Sequence, residues 1–154
     1  MKWRIEQACS LDVTSCNAPK ATTVRVRLSA DGLDRVCIGL CLLEQALIDS
    51  LDLLGMTGDS RLRIERSSHA ASIQLGRHRI DLSLDTVALE MWQYFTLRAV
   101  RDGIAEVGHI NMEIALAGAT PDQVDVVIVY PSSAPPVSPD ERSMQSETFR
   151  KHPS

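Results

Sequence analysis

The chain has 154 residues, 44% of them apolar and 23% charged, which is one domain's length with an ordinary globular balance. Its formal net charge of −4 argues against a mainly electrostatic nucleic-acid binder, and no apolar run reaches the length of a membrane span. Residues 1–6 show no apolar leader, so the expectation is a cytoplasmic protein with reduced thiols and no membrane partner. The four cysteines at 9, 16, 37 and 41 have neither disulfide-framework nor zinc-site spacing. Arginine far outnumbers lysine along the whole chain, so arginine count alone singles out no region.

In chain order, alternation of apolar and polar residues predicts strands over 3–8 and 23–28. Val36, Leu40, Leu43, Leu47, Leu51 and Leu54 recur at three- and four-residue spacing. They predict a long helix over 33–54, with Asp31 as its cap and Gly55 just past its end. Between 61 and 83, Leu62, Ile64, Ile73, Leu75, Ile80 and Leu82 alternate with polar residues as in a three-stranded meander. Gly76-Arg77 suits a two-residue turn that pairs Ile73 with Ile80, and Ser68-His69 a second one that pairs Ile64 with Ile73. A slip of one residue would turn every isoleucine to the wrong face.

A second helix is expected over 86–102, capped by Asp85 and stopped by Gly103, with Ala88, Met91, Trp92, Phe95 and Ala99 as its buried stripe. Strands follow over 109–116 and 124–130. From 131 to 154 the chain holds five of the seven prolines and few large apolar residues, the composition of a flexible tail. The domain is thus 1–130 and the tail 131–154. No internal repeat is visible.

The order (β)βαβββαββ packs most simply as an α+β two-layer sandwich: a mainly antiparallel sheet of five or six strands with both helices on one face. The polar residues of all strands would then share the opposite, open face. Arg63, Gln74 and Arg79 would form one row, Glu65, Ser72 and Asp81 the next, with Arg25, Arg27, His109, Asn111 and Glu113 alongside. Such a face is either solvated and self-balanced or a platform for a partner. His109, Asn111 and Glu113 stand nearly 7 Å apart at each step along a strand, too far for a tight proton relay. Cys37 and Cys41 read as core thiols, while Cys9 and Cys16 lie in a polar stretch open to reaction. Ile38 and Leu42, neighbours on the outer arc of the first helix, are candidates for a partner or dimer contact.

No GxGxxG, Walker loop, GxSxG or HExxH is present. The leading expectation is a non-enzymatic interaction module of adaptor, inhibitor or immunity-protein type, without cofactor or metal. It would bind a partner protein through the charged sheet face or the outer arc of the first helix. A second expectation is a small-molecule binder or enzyme with an anion-holding pocket over the sheet, in which His109 or Glu113 exchanges protons. A third is a homodimer that pairs through strand 124–130 or through Ile38 and Leu42.

Overall fold

The structure, a computed structural model, describes residues 1–17, 20–102, 108–118 and 122–131. Gly103 and the expected tail from residue 132 on lie outside the described residues. The elements are β1 (Lys2–Asn17), β2 (Lys20–Leu28), α1 (Leu33–Glu44), β3 (Ser50–Gly55), β4 (Arg61–Arg66), β5 (Ser72–Leu75), β6 (Arg79–Leu84), α2 (Thr86–Asp102), β7 (His109–Leu116) and β8 (Gln123–Val129).

These eight strands close into one barrel in the order β1-β2-β8-β7-β5-β6-β4-β3. The expected open two-layer sandwich is therefore wrong. Its error starts at β3, which sequence periodicity assigned to the first helix. With β3 restored, every strand has a neighbour on both sides, and closure removes the sheet edges. Strand 124–130, expected as an exposed edge, is β8 and lies between β2 and β7.

Antiparallel hairpins β1/β2, β3/β4, β5/β6 and β7/β8 are joined by parallel seams β2·β8, β7·β5, β6·β4 and β3·β1. The two halves, β1-β2-α1-β3-β4 and β5-β6-α2-β7-β8, share one topology. Each pairing in one half has its counterpart in the other. The repeat lives in the connectivity and leaves a short sequence trace at the equivalent strand-to-helix junctions, where Arg25, Leu28, Ser29 and Asp31 match Arg79, Leu82, Ser83 and Asp85. It also gives the barrel two different ends. The four hairpin turns lie at one end; α1, α2 and the link from β4 to β5 lie at the other.

One face of every strand is apolar and turned inward: Ile5, Val24, Val26, Leu51, Leu53, Leu62, Ile64, Ile73, Ile80, Leu82, Ile110, Met112, Ile114, Val124, Val126 and Ile128 are all buried. Both helices turn a stripe into this same core, Val36, Leu40 and Leu43 from α1 and Leu89, Trp92 and Ala99 from α2. At Gly39 the helix backbone approaches so closely that a Cβ there would sit 2.7 Å from Leu51 Cδ1. Each helix also keeps an exposed arc. A helix with one face in the barrel core and the other in solvent closes an opening of the barrel rather than running through it.

The helix ends differ in how far sequence foretold them. Asp85 caps α2 as expected, its Oδ1 accepting from the Ala88 amide at 2.9 Å. The start of α1 is capped without a side chain at Gly32, not by Asp31; the Gly32 amide donates instead to Ser29 Oγ at 3.2 Å. The end of α1 lies ten residues before the expected one. The Leu47 amide donates to the Leu42 carbonyl and the Ala46 amide to Leu43, with Ala46 at φ 59°. This is a Schellman stop with alanine where glycine is usual.

The meander register also differs. β4 pairs with β6, in parallel, and not with β5, so the hairpin expected at Ser68-His69 is instead a link between barrel halves. β5 and β6 do pair antiparallel, but Ile73 faces Leu82 and Leu75 faces Ile80. The slip from the expected register is two residues, which keeps every isoleucine facing inward. Gly76 serves the longer turn: its amide donates to the Arg79 carbonyl at 2.8 Å, and a Cβ would lie 2.7 Å from that oxygen.

Candidate functional site

The charged residues expected on one open face are spread around a closed wall. On one side, cross-strand pairing sets Arg4, Asp52, Arg63, Asp81 and Gln74 side by side on β1, β3, β4, β6 and β5. Their charges alternate. Arg63 Nε and Nη2 donate to the two oxygens of Asp52 at 2.8 and 3.0 Å, and Arg61 Nη1 stands 3.8 Å from the same carboxylate. Asp52 is buried, and the Arg63 hydrogen bonds hold its carboxyl below the usual range against the opposing effect of burial. Arg79 sits one row away beside Arg61, not in the row of Arg63 and Gln74; its Nε donates to Asp81 Oδ1 at 2.8 Å. Glu65 is exposed in the row of Ser50 and Ser83. Arg63 and Asp81 thus carry the wall's own charge balance.

Arg25 and Arg27 on β2 lie on another part of the wall. Arg25 shares a row with Val127 and Asn111, and Arg27 with Val129 and His109. The β8 strand separates arginine from histidine, a span of about 10 Å at the usual strand spacing. Glu113 faces Asp125, so two carboxylates oppose each other there. These side chains line a convex exterior and converge on no common point. Among the described residues no group of three or more His, Cys, Asp or Glu is placed to hold a metal ion.

The thiols are set inward. Cys9 is fully buried on β1, where a bulge at Gln7 (φ 51°) turns both Ala8 and Cys9 to the core. Burial pushes its thiol up to about 12, the reverse of a reactive cysteine. Cys37 is raised to about 11 by burial and then by the neighbouring Cys41 thiol. The side chain of Cys16 lies outside the described residues. An open cleft of about 510 Å³ runs between the link Arg66–His69 and the start of α2 at Asp85–Val87. It contains none of the residues expected to bind an anion.

The helix end carries the feature that sequence reading passed over. Val87, Tyr94 and Leu97 of α2 are 75%, 56% and 49% exposed, and Val100 is exposed beside them. Counting 100° per residue, Val87, Tyr94 and Leu97 share one outer arc with Glu90, Arg98 and Arg101. On α1, Ile38 is 51% exposed as expected, whereas Leu42 packs partly against the core. Gln93 Nε2 donates to Cys41 Sγ at 2.9 Å, a side-chain tie between the two helices. The signal for this patch was present in the sequence: four large apolar residues fall outside the stripe that buries Trp92. Comparison with known protein families gives no match, and comparison with curated proteins gives none. No helix among the described residues is long and apolar enough to cross a membrane.

Proposed function

We propose that this chain is a non-enzymatic protein-interaction module whose docking face is the outer arc of α2 with Ile38 of α1. The observation that carries this reading is the exposure of Val87, Tyr94, Leu97 and Val100 on one helix, at the barrel end opposite the hairpin turns. Burying such residues against a partner is favourable by roughly 25 cal/mol per Å² of apolar surface. Tyrosine and arginine are the residues that most often anchor protein contacts, and here Arg98 lies 5.8 Å over the Tyr94 ring. The charged wall is the weaker candidate, because Arg63 and Arg79 are spent on Asp52 and Asp81.

Native mass spectrometry of the protein purified gently from its own host tests the proposal. Wild type is expected to carry a second polypeptide in fixed ratio. Leu97→Glu and Tyr94→Glu are expected to lose it while unfolding within about 1 kcal/mol of wild type, since both sites are exposed. Retention of the partner by both variants rejects this docking face.

A further inference from the structure

We infer that the free edge of β1, from Ser10 to Cys16, pairs antiparallel with the same edge of a second copy of this chain. The two-fold axis passes at Val13 and one sheet runs through both copies. This surface is separate from the α2 arc and does not depend on it.

The β1·β3 seam ends where Cys9 meets Gly55, and the chain after Gly55 turns back toward β4. β1 runs on to Asn17, paired with β2 without a register shift. Among the described residues no strand pairs with its other side beyond Cys9. Alternate amides and carbonyls of this stretch therefore point away from β2 toward no backbone partner. The barrel does not need the arm for closure. In the other half, the equivalent hairpin turns straight after Leu75.

Strand edges are usually guarded against pairing by lysine, proline, a bulge or shortness. The stretch from Ser10 to Cys16 contains neither lysine nor proline, and Asp12 is its one charge. An apolar row is also cut off at this edge. Met112, Val126, Val24 and Val13 stand side by side on β7, β8, β2 and β1. The first three are buried, whereas Val13 is 47% exposed. The row is completed by one more strand with an apolar residue at the level of Val13.

β1 itself meets that need. A two-fold contact must be self-complementary. With the axis at Val13, that residue faces the partner subunit's Val13, and the row continues into the partner subunit's Val24. Asp12 comes opposite the partner subunit's Thr14, and Leu11 opposite the partner subunit's Ser15. An axis at Asp12 would set carboxylate against carboxylate, which is destabilising. An axis at Thr14 would set Val13 against serine and end the row. From Ser10 to Cys16 the seam is about 20 Å long.

Sedimentation equilibrium of the full chain, from low-micromolar to millimolar concentration, tests the pairing. Wild type is expected to pass from monomer to dimer. Val13→Lys is expected to stay monomeric with an unchanged circular dichroism spectrum, because two ammonium groups would meet at the axis. Thr14→Lys sets an ammonium opposite Asp12 twice and is expected to tighten the dimer about threefold or more, and Thr14→Asp to weaken it by as much. Leu97→Glu on α2 is expected to leave it unchanged. Hydrogen exchange at residues 10–16 is expected to slow as the dimer forms.

A wild type that stays monomeric throughout overturns the pairing. A dimer that Val13→Lys leaves intact overturns it too; if Leu97→Glu dissolves that dimer, the second copy sits on α2 instead. A dimer that Thr14→Lys and Thr14→Asp shift in the same direction rejects the axis at Val13.

Discussion

Arg63 holds Asp52 through two parallel hydrogen bonds across the β3–β4 pair, with the carboxylate side chain only 5% exposed and the guanidinium 14%. Removing Arg63 takes both hydrogen bonds from the buried carboxylate and leaves it only Arg61, 3.8 Å away, a loss of up to about 3 kcal/mol. Arg63→Ala is therefore expected to destabilise the barrel by that amount. Arg79→Ala, which opens a half-exposed pair with Asp81, is expected to cost under about 1 kcal/mol. Reversing Arg63 thus tests folding before it tests binding. Urea unfolding of both variants checks the contrast, and equal losses would reject it.

The same pair sets an acid dependence. Arg63 lowers the Asp52 carboxyl below its unfolded value of about 4. The stabilisation is then complete above that value and is lost as pH falls through it toward the folded pKa. Asp52→Asn is expected to be much less stable than wild type at neutral pH and to approach it in strong acid. A gap that stays constant down to about pH 2 would reject the pair as its source.

Ala46 is expected to be improved by glycine. It occupies the left-handed position of the α1 stop, where a Cβ costs about 1 kcal/mol. Ala46→Gly relieves that strain, partly offset by the greater freedom of glycine in the unfolded chain. Thermal unfolding should show a small gain and no change in fold. A clear loss would mean that the alanine methyl makes contacts worth more than the strain.

That alanine also explains the largest error of sequence reading. The spacing of Val36, Leu40 and Leu43 marks residues that are core, and the α2 pattern starts and stops where the helix does. Beyond Glu44, Leu47, Leu51 and Leu54 continue a helical spacing, while Leu51 and Leu53 equally fit a strand. With no glycine at residue 46, nothing stopped the helix before Gly55. Asp52, the wall's central carboxylate, was thereby assigned to a helix surface. The parallel pairing of β4 with β6 was illegible for another reason: it is a long-range choice, and local turn chemistry at Ser68-His69 suggested a hairpin. The α2 patch was legible, because Val87, Tyr94 and Leu97 lie off the buried stripe.

Gly39→Ala is expected to destabilise although alanine favours helices. The gain in helix propensity is about 1 kcal/mol. The new methyl would meet Leu51 at 2.7 Å and 3.0 Å from its two terminal carbons, inside a closed core. Overpacking of this kind costs about 1–3 kcal/mol, so a net loss is expected. Combining it with Leu51→Val, which removes the obstructing carbon, should recover part of the loss. If the double variant is as unstable as the sum of the two single changes, the clash is not the cause.

The two halves of the barrel are not equally fastened. The β1·β3 seam matches Lys2 through Ile5 with Ser50 through Leu53 and resumes at Cys9 with Gly55. Its counterpart, β5·β7, matches only Ser72 with Ala115 and Ile73 with Leu116. β5 is also the shortest strand described, four residues long. A short seam has fewer hydrogen bonds to break, so local opening there needs less free energy than global unfolding. Hydrogen exchange followed by mass spectrometry is expected to show 72–75 exchanging about tenfold or more faster than 50–55, corrected for intrinsic rates. Ile73 at the centre of the weak seam is buried, so a cavity made by Ile73→Ala should speed exchange first in β5 and β7. Uniform protection of both seams would mean that the barrel opens as one unit and that seam length does not decide where it parts.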